Sequence, residues 1–346
     1  MDRDKTRQFL ERFTSLAAGA TTIGLLAVAD RSGLLRSMAG EPPRALPVVA
    51  DSAGLNARYT EEILSGLVAA SIIDYDAENQ TFFLSEEHAA VIADDESPYS
   101  MTGWLDMIPT ALEHTDAISD AARSGGGIAF EDFGERMVRG IDRGNTPSMT
   151  VLLTRRWLPE MPDVVDMLKR GARVADFGCG SGGAVRAMAK AYSHSAIFGF
   201  DISSSSIERA RKQTAEPNAT FIVGGSETLQ RGRPFDLVTL FDVVHDLADP
   251  IAALTDIRSS LGDGGVVLMM EPRIERSLEN NINDRAALLY GISTFHCMTQ
   301  SLAAGGPGLG AAWGRDAAEK LCGVAGFSSF EELPIDNPFS TFYRVS

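Results

Sequence analysis

An aspartate stands two residues ahead of a glycine cluster in the run Asp176-Phe177-Gly178-Cys179-Gly180-Ser181-Gly182-Gly183. The apolar residues before it read as a strand, and those after it as the start of a helix. A glycine-lined turn between strand and helix lets a ligand lie against bare backbone, because no Cβ stands in the way. Gly178, Gly180 and Gly183 meet the GxGxxG spacing of dinucleotide sites, so the glycines alone leave a nicotinamide or flavin nucleotide open. The carboxylate separates the options. A dinucleotide sets its pyrophosphate at the helix N-terminus, where Asp176 would repel it. A nucleoside carrying an ammonium and a sulfonium is attracted by the same charge. A plain aspartate closing a strand is the alternative.

Asp201 ends the next apolar run, Ile197-Phe198-Gly199-Phe200, about 20 residues past the glycines, where an acid takes ribose hydroxyls in this architecture. The later run Phe241-Asp242-Val243-Val244-His245-Asp246 closes a fourth strand whose carboxyl end faces the ligand crevice. His245 is the candidate base, needed if the acceptor is protonated at working pH. A packing histidine is the competing role. Asp246 either orients the ring or, more in keeping with its place, caps the following helix. Glu271 ends the fifth strand beside the same crevice, as a structural or a catalytic acid. His296 and Cys297 fall in a connection longer than the usual span of about 2–6 residues, which suits a pocket wall or lid. Gly305-Gly306-Pro307-Gly308 within it could hinge. Cys297 lacks an evident activating neighbour, so no nucleophile is expected there. No metal site is expected either.

The pattern (D/E)xGxGxG is met by Asp176, Gly178, Gly180 and Gly182. Together with Gly199-Phe200-Asp201, Phe235-Asp236-Leu237-Val238 and Leu261-Gly262-Asp263-Gly264-Gly265-Val266, it resembles class I S-adenosylmethionine-dependent methyltransferases in order and spacing. Arg58-Tyr59, Leu84-Ser85-Glu86-Glu87-His88-Ala89, Tyr290-Gly291-Ile292-Ser293, His296-Cys297-Met298-Thr299 and Gly308-Leu309-Gly310 resemble a bacterial subgroup that adds an N-terminal winged helix. The resemblance implies an α/β fold, a Rossmann-like methyltransferase sheet with an N-terminal, mostly helical winged-helix domain. It implies S-adenosyl-L-methionine as cofactor and S-adenosyl-L-homocysteine as product. The implied cofactor contacts are Asp176, Gly178, Cys179, Gly180, Gly182, Asp201, Ile202, Gly225, Ser226, Glu227, Phe241 and Asp242. Where such enzymes often place Gly-Asp after the third strand, this chain has Gly224-Gly225, so adenine falls to backbone groups, Ser226 or Glu227. His245, Asp246 and Glu271 become the catalytic set, and His296, Tyr290 and Trp313 the acceptor-facing set. The implied acceptor is a small organic molecule, with an oxygen nucleophile ahead of nitrogen or carbon. A winged-helix regulator sensing a small molecule and an NAD-dependent oxidoreductase are the rivals.

The elements that must position these residues follow from periodicity. Residues 5–30 read as one long apolar helix, and 51–55 as the turn of a helix-turn-helix. Ile63, Leu64, Leu67 and Val68 mark one helical face. Ile72-Ile73-Asp74-Tyr75 and Thr81-Phe82-Phe83-Leu84 read as a hairpin, which completes a winged-helix or dimerisation domain over 1–97. Residues 101–122, 131–140 and 149–168 read as helices, the last broken by Pro159 and Pro162, in a linker and cap region over 98–168. From 169 to 346, short apolar runs alternate with helical ones, the signature of a parallel sheet with crossover helices. Two strands, 328–334 and 340–345, close the chain.

Composition narrows the function classes. With 346 residues, 44% hydrophobic and 23% charged, the chain has ample material for two globular domains. Its three scattered cysteines suit reduced thiols in the cytoplasm. Net charge is −16, and residues 1–100 hold 8 basic against 16 acidic side chains, which opposes nucleic-acid binding. The would-be recognition helix begins Asn56-Ala57-Arg58-Tyr59-Thr60-Glu61-Glu62, one base against two acids. That favours a subunit-pairing role and a homodimer over DNA reading. Residues 16–29 mimic a signal peptide but have acidic flanks and fall short of the roughly 20 residues a membrane span needs. An ordinary buried helix is expected there instead, with no membrane partner.

Overall fold

A helix-turn-helix forms where polar residues punctuate apolar faces. Helix Leu46–Ala53 stops at Gly54, whose φ of +65° suits glycine, and Asn56 then caps helix Ala57–Ala69 by accepting from Arg58 N and Tyr59 N. The wing is a three-stranded antiparallel sheet, with β1 (Arg44–Ala45) and β2 (Asp74–Asp76) both pairing with β3 (Thr81–Phe83). In this computed structural model, which describes residues 1–231 and 234–346, these elements belong to a first unit, Met1–Thr110 with Glu135–Pro147. Leu26, Leu34, Leu35, Val49, Leu64, Leu67 and Leu84 form its core.

The N-terminal helix, Arg3–Arg31, departs from expectation. Only Leu26, Ala27, Ala29 and Asp30 are buried, while Phe9, Leu10, Phe13 and Leu16 lie open to solvent. Its last turns alone reach the core of the unit. Among the described residues this one helix is long and apolar enough to cross a membrane, by length and composition, with 22% of its apolar window buried.

A buried ionic cluster ties the remaining helices of the unit together. Arg143 donates to Asp30 (2.8 Å), Asp95 (2.8 Å) and Asp106 (3.1 Å), and Arg139 grips Asp106 with two parallel bonds of 2.9 and 3.0 Å. This explains why the helix Gly134–Leu152 runs through the polar stretch around Pro147, where the sequence suggested a break. Tertiary anchoring outweighs the lost backbone bond at proline. The expected helix over 101–122 is two, Trp104–Leu112 and Thr115–Ser124. Residues 98–168 are shared between the two units.

The second unit, Ala111–Gly134 with Ser148–Ser346, is built on a seven-stranded sheet. Its strands are β4 (Arg173–Phe177), β5 (Ala196–Asp201), β6 (Ala219–Val223), β7 (Phe235–Phe241), β8 (Leu261–Pro272), β9 (Phe330–Glu332) and β10 (Ser340–Val345). The order is β6-β5-β4-β7-β8-β10-β9, parallel from β6 to β8, with β10 antiparallel to both its neighbours. Helices Pro162–Arg170, Gly183–Ala191 and Ser204–Gln213 cover one face through Val164, Val185, Met188 and Ile207. Helices Pro250–Ser260 and Gly314–Val324 cover the other through Leu254, Ile257, Ala318 and Cys322. The order in which the chain adds strands reverses between β4 and β7, which opens a crevice at their carboxyl ends. The candidate residues gather there.

Candidate active site

The glycine turn after β4 is shaped from within. A Cβ on Gly178 would come within 2.5 Å of Val243 Cγ2, and one on Gly182 within 2.5 Å of Phe221 Cε1. Both positions are therefore fixed as glycine by their neighbours. Gly180 differs: its φ is +52° and the space before it is open. That leaves backbone bare for a ligand. Asp201, at the end of β5, braces the turn, accepting from Gly180 N and Ser203 N at 2.8 Å each. Ile202 beside it is exposed.

Asp176 is buried on β4 and accepts from Thr239 Oγ1 of β7 at 2.7 Å. Burial, aided by the nearby charge of Asp201, lifts its carboxyl to about 7. A buried carboxyl held this way gains from a nearby cation. Cys179 is buried too, and burial raises its thiol far above the usual range, so it contributes backbone and bulk rather than a thiolate.

After β6, Gly224 N donates to Asp201 O at 3.0 Å, which brings Gly225 beside the glycine turn. Ser226 does not stand free for adenine: its hydroxyl donates to Asp256 Oδ2 at 2.7 Å. Glu227 is exposed and folds over Gly225. Phe241 ends β7 against Trp157, and Asp242 follows in the left-handed region at φ +59° with its N–H on Met270 O (2.8 Å). A non-glycine residue at such a φ marks strain at the mouth of the crevice.

His245 sits one turn further on, almost fully buried. Its Nδ1 lies 2.6 Å from Glu271 Oε2, and its Nε2 3.3 Å from Asp246 Oδ1. Glu271 also accepts from Val244 N and from Trp313 Nε1, both at 3.0 Å. Three donors converge on this carboxylate, which fixes it in place and sets Nδ1 as the protonated nitrogen. Burial opposes charge on the ring, but Asp246 and Glu271 outweigh it and hold the imidazolium well above the usual histidine range.

Two expectations change here. Asp246 does not cap the next helix; Asp249 does, accepting from Ala252 N at 2.9 Å, because it stands directly before Pro250. Asp246 is left beside the histidine instead. Cys297 does have a neighbour, since His245 hydrogen-bonds it, yet burial and Asp246 push its thiol up to about 12. It is no nucleophile. His245, Asp246 and Cys297 also bring ligand atoms within 4.8 Å of one another, a grouping that spacing along the chain did not disclose.

The acceptor-facing candidates divide. Trp313 joins the cluster through Glu271, and His296 packs edge-on against Phe133 at 4.8 Å. Tyr290 is exposed, and among the described residues no hydrogen bond or ring contact ties its side chain to the cluster. Thr239, Phe130 and Phe133 were missed. Thr239 lies inside an unbroken apolar strand, and the two phenylalanines lie far upstream in sequence, so no local signal pointed to them. His296 and Cys297 end a π-helical turn, Ser293–Cys297, a local widening that the sequence pattern did not show.

Comparison with known proteins follows the same division of the chain. Residues 168–315 match the Methyltransferase domain family, and residues 19–94 the Rv2258c-like winged HTH domain. Among solved structures, the chain is similar to the mitomycin 7-O-methyltransferase MmcR (TM-score 0.72, 16% identity, 99% of each chain). It is similar to human N-acetylserotonin methyltransferase in complex with SAM (TM-score 0.69, 21% identity, 98% of this chain and 97% of that one). CalO1, a methyltransferase in calicheamicin biosynthesis solved with SAH bound, matches at TM-score 0.65, 18% identity and 99% of each chain. In sequence, it is 33% identical over 121 residues to an uncharacterized 37.1 kDa protein in transposon TN4556 of Streptomyces fradiae. That alignment spans 35% of the relative's length and 34% of this chain.

Proposed function

We propose that this chain, a class I S-adenosylmethionine-dependent methyltransferase with an N-terminal winged-helix domain, methylates an oxygen of a small organic acceptor with His245 as base. The observation that carries the reading is the 2.6 Å bond between His245 Nδ1 and Glu271 at the carboxyl end of the sheet. It leaves Nε2 as the nitrogen able to take a proton from an acceptor hydroxyl.

The residues fit the cofactor. Open space before Gly180, a buried carboxyl at Asp176 and an exposed apolar side chain at Ile202 suit a cationic amino-acid tail, a backbone-held linker and a flat base respectively. Asp201, already held by two N–H groups, keeps lone pairs for ribose hydroxyls. Adenine then rests on Ile202 and the backbone around Gly225, while Ser226 is committed to Asp256. When bound, S-adenosylmethionine supplies a methyl already activated by a sulfonium, so the protein need only align the nucleophile and manage one proton.

That proton is managed by His245. In its neutral form the ring donates from Nδ1 to Glu271, and Nε2 accepts the hydroxyl proton as the oxygen takes the methyl. Glu271, held by Trp313 and Val244, stabilises the imidazolium that results. Asp246 does the same from the other side. The reaction is thus favoured at a pH high enough to free Nε2 beforehand.

On this reading residues 1–97 form a pairing module, 98–168 a cap region and 169–346 the cofactor domain of a cytoplasmic homodimer. The exposed row Phe9, Leu10, Phe13 and Leu16 supports a second copy as the occupant of the N-terminal helix. Arg58 is tied to Glu61 and Glu62, which leaves the recognition helix no free base for phosphate. Phe9→Ser with Phe13→Ser should give a monomer by light scattering; an intact dimer would refute the pairing role.

Calorimetry tests the function itself. S-adenosylhomocysteine should bind and NADH should not. Uptake of NADH with indifference to S-adenosylhomocysteine would overturn the assignment.

A further inference from the structure

His245, Asp246 and Cys297 each offer one ligand atom, and the three atoms lie within 4.8 Å of one another. They come from two segments, the turn Val244–Asp246 that follows β7 and the π-helical turn Ser293–Cys297. Two bonds anchor the first turn to residues just past the second. Ser301 Oγ donates to Leu247 O at 2.9 Å, and Gly310 N to His245 O at 3.2 Å. Asp246 Oδ1 is buried and makes no hydrogen bond, a costly state for an acceptor. The Cys297 thiol is paired with the His245 ring itself.

The histidine is prepared as a metal-bound one is. A ligating imidazole almost always donates its other ring N–H to a carboxylate or carbonyl, which fixes the tautomer and makes the free nitrogen more basic. Glu271 takes that part at 2.6 Å from Nδ1, and is itself held by Val244 N and Trp313 Nε1. Nε2 then lies 3.3 Å from Asp246 Oδ1. Ligand atoms bound at about 2.0–2.3 Å in a tetrahedron stand about 3.3–3.8 Å apart, so this pair already has the spacing. Bringing the Cys297 sulfur into line asks about 1 Å of movement. Donor types select the ion. Thiolate and imidazole suit Zn²⁺, whereas Mg²⁺ and Ca²⁺ take oxygen donors.

We propose that His245, Asp246 and Cys297 form a binding site for Zn²⁺, with water as the fourth ligand. Coordination takes Cys297 as thiolate and His245 as the neutral ring, and the displaced protons pass to solvent. The ion occupies Nε2, the nitrogen that the proposed methyl transfer needs, and so switches transfer off. That consequence rests on the proposed role of His245; the binding itself does not.

The full-length protein, freed of metal by a chelator, is titrated with Co²⁺ as a coloured stand-in for Zn²⁺. Binding should saturate at one ion per chain. It should give the visible bands of a four-coordinate ion and a near-ultraviolet thiolate-to-cobalt band, and Zn²⁺ should erase both. Cys297→Ser should lose the ultraviolet band, and Glu271→Gln should weaken Zn²⁺ about 10–100-fold. Absence of the thiolate band from the natural protein, or a band that survives Cys297→Ser, would overturn the site. An affinity unmoved by Glu271→Gln would do the same. Methyl transfer, measured separately, should stop as Zn²⁺ fills the site and return with chelator. Transfer that continues in the zinc-filled protein would instead refute His245 as base, and the cobalt spectrum would still report the cation.

Discussion

Two buried charged clusters in this molecule use similar side chains to opposite ends. In the N-terminal unit, Asp30, Asp95 and Asp106 meet Arg139 and Arg143, and the arginine forks answer the carboxylates bond for bond. Burial opposes the charges on Asp95 and Asp106, but the guanidinium contacts win and hold both carboxyls below their usual range. In the C-terminal unit, His245 faces Glu271 and Asp246, and the Asp246 oxygen 3.3 Å from the ring makes no hydrogen bond. In the first cluster every carboxylate is answered by an arginine. The second holds a titratable ring between two carboxylates. A filled network fixes architecture, and an unfilled one holds chemistry.

The sharpest way to break the comparison is His245→Ala. Turnover should fall about 10²–10⁴-fold, the usual worth of a positioned base, with S-adenosylhomocysteine affinity barely changed. Single-turnover rates and calorimetry check both halves, and a loss confined to binding would make the histidine structural. Next in size is Arg143→Met. Stripping the shared guanidinium from buried aspartates should cost about 3–5 kcal/mol in urea unfolding, without altering cofactor affinity. A change under about 1 kcal/mol would mean the pairs only break even with solvent.

The two clusters should also respond to pH with opposite sign. Asp95 and Asp106 have depressed values, so their stabilisation is present above the unfolded carboxyl range near 4 and is lost as pH falls through the folded values. His245 is raised above its unfolded value near 6.5, so its stabilisation is full below that pH and fades as pH rises through the folded value. A smaller effect concerns Asp176. With its carboxyl lifted to about 7, the folded chain binds a proton that the unfolded chain has lost, and stability falls as pH climbs toward 7. Asp176→Asn should therefore raise the melting temperature at pH 8 while weakening S-adenosylhomocysteine binding. A lower melting temperature there would show that the anion is welcome in the fold.

How legible these features were in the sequence depended on their range. The glycine turn, the strand alternation and the helix-turn-helix are local, and capping residues such as Asn56 and the left-handed Gly54 wrote them plainly. His245 and Glu271 were singled out separately because each ends a strand at the crevice. Their contact, through a ring nitrogen and a carboxylate 26 residues apart, follows from β7 and β8 being neighbours in the sheet. What escaped was set by tertiary packing. The helix through Pro147 is held by aspartates 37 to 113 residues away from Arg143, beyond any window of periodicity. The N-terminal helix was expected to be buried on its hydropathy, and hydropathy cannot say whether the covering surface belongs to the same chain. Asp246 precedes a helix and so reads as a cap, but Asp249, closer to Pro250, fills that place.

The pH dependence of kcat/KM for methylation of a small hydroxyl acceptor, measured for the natural protein and for Asp246→Asn, reaches the heart of the matter. Activity should rise on an acidic limb with an apparent pKa above 6.5, and removal of the Asp246 charge should move that limb to lower pH, since the imidazolium loses one of its two supports. A flat profile, or a limb that stays put in Asp246→Asn, would contradict the placing of the reaction's proton on His245.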